Sequence, residues 1–104
     1  MTKTKSPKIG LLPMHPGELL REDVLPSLGK SKTEIAKLLG VSRQTLYDIL
    51  DEAQPVTPAM ALRLGKLCGN GPDIWLNLQR KFDLQAAAAE VDVSKIPTLS
   101  AAEM

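Results

Sequence analysis

Arg43 and Gln44 stand side by side at the start of a polar run, Ser42-Arg43-Gln44-Thr45, that continues through Tyr47 and Asp48. An arginine can give two parallel hydrogen bonds to the edge of guanine, and a glutamine can match the donor and acceptor of adenine. The hydroxyls of Ser42, Thr45 and Tyr47 are of the kind that donates to phosphate oxygens. Upstream lie Lys30, Lys32, Thr33 and Lys37. Lysines there can neutralise phosphates. Lys32 and Thr33 fall at an expected helix N-terminus, where unpaired backbone N–H groups attract anions. The combined chemistry is that of a surface for double-stranded DNA. A solvated helix face also carries such residues, so the elements that position them must decide.

Those elements lie in the stretch KTEIAKLLGVSRQTLYDIL, Lys32 to Leu50. Ser31 is an N-cap with Glu34 three residues on, the spacing of a capping box. The spacing predicts a helix from about Lys32 to Leu39. Its inward residues are Ile35, Ala36 and Leu39. Gly40 stops it, in a conformation that is cheap only for glycine. Ser42 caps the next helix, from about Arg43 to Asp51, with Leu46, Ile49 and Leu50 inward. Small Ala36 permits close approach and Val41 fills the elbow. Two short helices on a glycine turn make a helix-turn-helix. Its outer face is then Arg43, Gln44, Tyr47 and Asp48.

The rest of the chain reads as further helices. His15-Pro16-Gly17 opens one, with Leu20 and Val24 inward, Glu18, Arg21 and Glu22 outward, and Pro26 as its end. After the loop DEAQPVTP, Thr57-Pro58 opens another, with Ala61, Leu64 and Cys68 on its stripe and Gly69 as its end. Pro72 opens the fifth, with Ile74, Trp75, Leu78 and Phe82 as its apolar face and four alanines from Ala86 that extend it. The expected fold is all-α, a five-helix domain over 14–85. A flexible arm precedes it at 1–13, and a helix extension and tail follow at 86–104. The tail from Val91 is either disordered or a short extended segment.

Composition supports this. The 104 residues suit one domain, and 43% are hydrophobic while only 3% are aromatic. One cysteine excludes an internal disulfide and agrees with a reducing cytosol. No apolar run approaches membrane-span length, and no signal peptide is evident. Net charge is +1. Residues 1–50 hold eight Lys/Arg and five Asp/Glu, a balance of +3, whereas 51–104 hold five and seven, a balance of −2. Two surfaces with different partners would carry such an asymmetry. Enzyme chemistry finds no support. His15 is the single histidine, lacks a catalytic partner and suits a helix cap. One Cys and one His cannot make a structural zinc site. GKLCGNG lacks phosphate-loop spacing. No cofactor is expected.

The helix-turn-helix stretch resembles that of the Cro and lambda-repressor-like (XRE) family. The wider blocks are more specific. HPGE at His15–Glu18, the T-x-x-x-A-L-R-L pattern from Thr57 and W-L-N-L-Q from Trp75 resemble the HigA-type, VapI-like antitoxins of toxin–antitoxin modules, over roughly Met14 to Leu84. The resemblance implies a homodimeric repressor that binds an operator in its own promoter. It also implies a small RelE-like ribonuclease toxin as partner. By the family pattern Lys32, Arg43, Gln44, Thr45 and Tyr47 face DNA. One departure is the loop after the second of the two helices. Relatives often carry a basic, glycine-containing turn there, and this chain has Asp51 and Glu52. A stand-alone regulator without a toxin, or a protein-docking adaptor on the same fold, are the competing expectations.

Overall fold

The structure, a computed structural model, describes residues 14–100. The expected arm at 1–13 lies outside the described residues. Helix α1 spans residues 16–28 and starts on His15, whose Nδ1 accepts the Gly17 N–H at 2.8 Å. Its middle turn, Leu20–Val24, widens to π-helix, and Leu25 N–H reaches back five residues to the Leu20 carbonyl. The expected end at Pro26 is therefore wrong. Proline breaks a helix by lacking an N–H and crowding the carbonyl four residues back. Here the hydrogen-bond ladder is already shifted just ahead of the ring, so a last turn, Leu25–Leu28, follows and stops at Gly29 (φ 68°).

The first turn of α1 is buried on all sides. Glu18, expected outside, is only 4% exposed. The helical-face argument fails there because the later helices α3 (Arg43–Leu50) and α5 (Asp73–Glu90) both pack on this end of α1. Gly17 is the contact point with α3: a Cβ on it would stand 1.9 Å from the Ile49 carbonyl oxygen.

Helix α2 is Lys32–Leu39 and α3 is Arg43–Leu50. The Ser31 hydroxyl accepts the Glu34 N–H at 3.1 Å, and that of Ser42 accepts the Thr45 N–H at 3.0 Å. Gly40 turns the chain at φ 76°, and Val41 N–H returns to the Ala36 carbonyl at 3.0 Å. That bond closes the helix end and aims half-buried Val41 at the elbow. The six inward residues expected on the two helices, Ile35, Ala36, Leu39, Leu46, Ile49 and Leu50, are all buried.

Helix α4 is Pro58–Cys68, capped by Thr57 and closed by Gly69. Helix α5 is Asp73–Glu90 and runs through the four alanines. Trp75 is wholly buried and donates from Nε1 to Asn70 Oδ1 at 3.1 Å. The expected apolar face needs correction. Ile74 is 42% exposed, and Gln79 takes the buried position one turn after Trp75. A polar residue succeeds there because Gln79 Oε1 accepts the Val56 N–H at 2.7 Å. Leu78 and Phe82 are half-buried. Residues 91–100 are exposed and irregular, with a turn closed by Ile96 N–H on the Val93 carbonyl. Among the described residues there is no strand, and no helix is long and apolar enough to cross a membrane.

Candidate nucleic-acid interface

The capping of α3 decides what its exposed side presents. Burial of Leu46, Ile49 and Leu50 fixes the rotation of the helix. Arg43, Gln44, Thr45 and Tyr47 are consequently exposed, and Asp48 half-buried. Side-chain pairs join eight of the ten expected residues. Ser42 Oγ donates to Thr45 Oγ1 at 2.9 Å, and Gln44 Nε2 donates to Asp48 Oδ1 at 2.7 Å. Two pairs cross between the helices. Arg43 Nη1 lies 3.5 Å from Thr33 Oγ1, and Lys32 Nζ stands 5.8 Å from the centre of the Tyr47 ring. The start of α2 and the first turns of α3 thus form one continuous polar surface. Lys30 and Lys37 are exposed and stand outside these pairs.

Sequence reasoning missed what holds this surface from behind. Arg63 of α4 donates from Nη1 to the Leu39 carbonyl at 2.7 Å, with the Gly40 carbonyl at 3.5 Å. A cation on the last carbonyls of a helix satisfies groups that have no partner within it. Gly40 also leaves room for this arginine, since a Cβ there would be 2.7 Å from Arg63 Nη1. Arg21 does the same for α3. It donates to the Leu50 carbonyl, 29 residues away, and reaches Glu52 Oε2 at 3.4 Å. The sequence signal for Arg63 was the lone cation inside A-L-R-L, but its partner cannot be read from spacing.

The other candidates for chemistry are structural. His15 is 3% exposed, caps α1 as expected, and sets its ring edge-on to Phe82 at 5.0 Å. Burial lowers its pKa below the usual 6.5, against the pull of Glu52, Asp83 and a hydrogen bond to the Gln54 backbone. The neutral imidazole is the form that can accept the Gly17 N–H. Cys68 is half-buried, and burial pushes its thiol up, away from the reactive thiolate. Among the described residues no cluster of His, Cys, Asp and Glu could hold a metal.

Known proteins are similar to this chain in sequence and in fold. No family model matches the chain. It is 40% identical to virulence-associated protein I of Dichelobacter nodosus over 74 residues, 71% of this chain and 68% of that protein. The antitoxin HigA of Pseudomonas aeruginosa, solved with the higBA promoter, is 34% identical with a TM-score of 0.76, covering 84% of this chain and 99% of that one. The antitoxin GraA in complex with its operator is 36% identical with a TM-score of 0.79, covering 97% and 100%. This chain belongs to the HigA family of helix-turn-helix antitoxins. The family consists of DNA-binding regulators rather than enzymes, in line with the sequence expectation. The all-α helix-turn-helix fold is likewise shared with it.

The loop after α3 is the acidic one noted in the sequence, with Asp51 and Glu52. Glu52 adopts φ 63°, left-handed backbone in a residue that is not glycine. Such a residue carries about 1 kcal/mol or more of backbone strain. The Arg21 pair and the Glu52 N–H bond to the Ile49 carbonyl hold it there. The loop carboxylate is thereby committed to Arg21 rather than left to face the polar surface.

Proposed function

We propose that this chain is an operator-binding antitoxin that represses its own operon. The observation that carries the reading is the outer face of α3, rotated outward by a fully buried inner face and continuous with the start of α2. Arg43 and Gln44 enter the major groove and meet base edges. Lys30, Lys32, Thr33 and Lys37, with Ser42, Thr45 and Tyr47, hold the phosphate backbone. Asp48 lies in the same surface beside Gln44. Homologues solved with promoter and operator DNA support it.

One recognition helix buries too little for tight specific binding. A homodimer supplies two, roughly 34 Å apart, one turn of DNA. The dimer contact falls on the outer side of α5 and the tail, where Ile74, Leu84, Val91, Val93, Ile96 and Leu99 are exposed. The antitoxin family implies a toxin as second partner, and our reading of it is a small RelE-like ribonuclease encoded beside the gene. The domain proper is 14–85, and 86–104 serves the dimer.

A footprint on the chain's upstream DNA, with and without the neighbouring gene product, tests the whole reading. Protection of two half-sites is expected. Alanine at both Arg43 and Gln44 removes it, and protection that survives the double change refutes the assignment. Affinity falls steeply with salt as phosphate contacts release counterions. Sedimentation at micromolar concentration shows a dimer, and a monomer there refutes that part alone.

A further inference from the structure

The Gln44–Asp48 pair lies on the proposed reading face and stands one helical turn apart. An ionised carboxylate is an acceptor only, so the group it meets must be the N–H2 of Gln44 and not its carbonyl. The bond at 2.7 Å therefore settles which way the carboxamide points. One N–H is occupied by Asp48. The other N–H and the carbonyl oxygen of this exposed side chain remain for a ligand.

That leftover pair is one donor beside one acceptor. The major-groove edge of adenine offers the complement, the N7 acceptor beside the N6 amino donor. Guanine offers two acceptors, N7 and O6. A glutamine free to turn could give both its N–H groups to guanine. Gln44 cannot, because one is taken, and its carbonyl would then oppose O6 with no proton between them. Thymine and cytosine each offer Gln44 a single polar contact. Asp48 also discourages loose binding. Its negative charge stands in a surface otherwise suited to phosphates, which penalises any duplex that does not repay its presence. Rejection of the wrong partner by an unpaired group or a like charge is a recognised route to specificity.

We infer that Asp48 is a specificity-determining residue that orients Gln44 to read an adenine, and rejects guanine, at one position of each operator half-site. The inference rests on α3 being the recognition helix. Asp48 is a positioning residue: it acts through Gln44 and need touch no base.

The test uses the full chain and its own upstream duplex, with every base pair of the footprint replaced singly, and reads equilibrium binding. Wild type is expected to bind, with one A·T pair per half-site whose change to G·C weakens binding about tenfold or more, the scale of one good bidentate contact. Gln44→Ala removes that preference and leaves the others. Asp48→Ala removes the acceptor and releases the carboxamide, whereas Asp48→Asn keeps an oxygen that can accept from Gln44 and adds an N–H2 that can meet its carbonyl instead, so it only loosens the orientation. In Asp48→Ala the A-over-G ratio at that position falls to within about threefold, while binding to unrelated duplex strengthens. Asp48→Glu keeps an acceptor in reach and retains part of the preference. If wild type binds no duplex, the proposed function fails and this inference with it. If wild type binds specifically, but Asp48→Ala keeps the full A-over-G ratio or the Gln44-dependent pair is not A·T, only this inference is overturned.

Discussion

The two halves of this molecule are held together by different kinds of bond. Within the helix-turn-helix, 31–50, the caps and the turn are made by neighbours: Ser31 to Glu34, Ser42 to Thr45, Val41 to Ala36. The junction of α1, the loop after α3 and α5 is built from distant residues. Arg21 reaches Leu50, Gln79 reaches Val56, His15 meets Phe82, and Gly17 touches Ile49. The first half presents a surface. The second sets its rigidity. Damage should therefore be more severe in the junction, although the interface for a ligand lies in the other half.

The largest expected effect is at Gly17. Alanine normally favours a helix over glycine by about 1 kcal/mol. At this position the added Cβ would stand 1.9 Å from a backbone oxygen that no rotamer change can move. Overpacking of that kind costs about 1–3 kcal/mol and occasionally more, and contact with backbone puts Gly17→Ala at the upper end. Urea denaturation should show the loss, about 3 kcal/mol against the propensity gain. A variant as stable as wild type would mean that α1 and α3 do not cross here.

Next is Gln79→Ala, which leaves the buried Val56 N–H without its acceptor. An unsatisfied buried donor costs about 1–3 kcal/mol. The same assay should place this variant about 2 kcal/mol below wild type. Gln79→Glu keeps an acceptor for Val56 but loses the donor to Asp83 at 2.9 Å and sets two carboxylates together. It should recover only part of the loss.

The contrast explains what the sequence made legible. Caps, glycine stops and helical spacing act over three to five residues, so the starts of α2, α3 and α4 and all inward residues of the helix-turn-helix could be read. Pro26 misled because the hydrogen-bond ladder widens to a π turn just ahead of it, and a helix whose ladder is shifted there can carry a proline and continue. Ile74 is exposed and Gln79 buried because the inward face is chosen by its partners and not by polarity alone, and the N–H that justifies Gln79 comes from 23 residues away. Glu18 failed for the same reason, since its cover is supplied by two other helices. At the interface, residue types and outward rotation were legible. The pairing of Gln44 with Asp48 was not, since spacing permits it without requiring it.

Within the local half, Ser42→Ala should be milder. It removes the hydroxyl that accepts the Thr45 N–H at 3.0 Å. The loss of such a cap is about 1 kcal/mol. Because the bond sits at the start of α3, the variant should lose more operator affinity than its stability loss suggests. Thermal melting and the footprint together separate the two. Equal loss in Ser31→Ala and Ser42→Ala, by both measures, would erase the distinction between a helix that supports and one that reads.

The smallest effect is in the junction and depends on pH. His15 is buried, and burial holds its pKa below 6.5. Well above pH 6.5 the imidazole is neutral in both folded and unfolded chains, and the cap on Gly17 is fully present. As pH falls below 6.5 the unfolded chain takes up a proton first, so it binds more protons than the folded one and stability declines. The decline ends once pH has passed below the folded value. It is modest because Glu52 and Asp83 attract the imidazolium while burial and Arg21 oppose it. Melting curves between pH 7.5 and about 5 should show this slope in wild type and its reduction in His15→Asn. Asparagine offers the same cap acceptor without titrating in that range. A slope that persists unchanged in His15→Asn would move the pH response to the carboxylates and leave His15 as a cap alone.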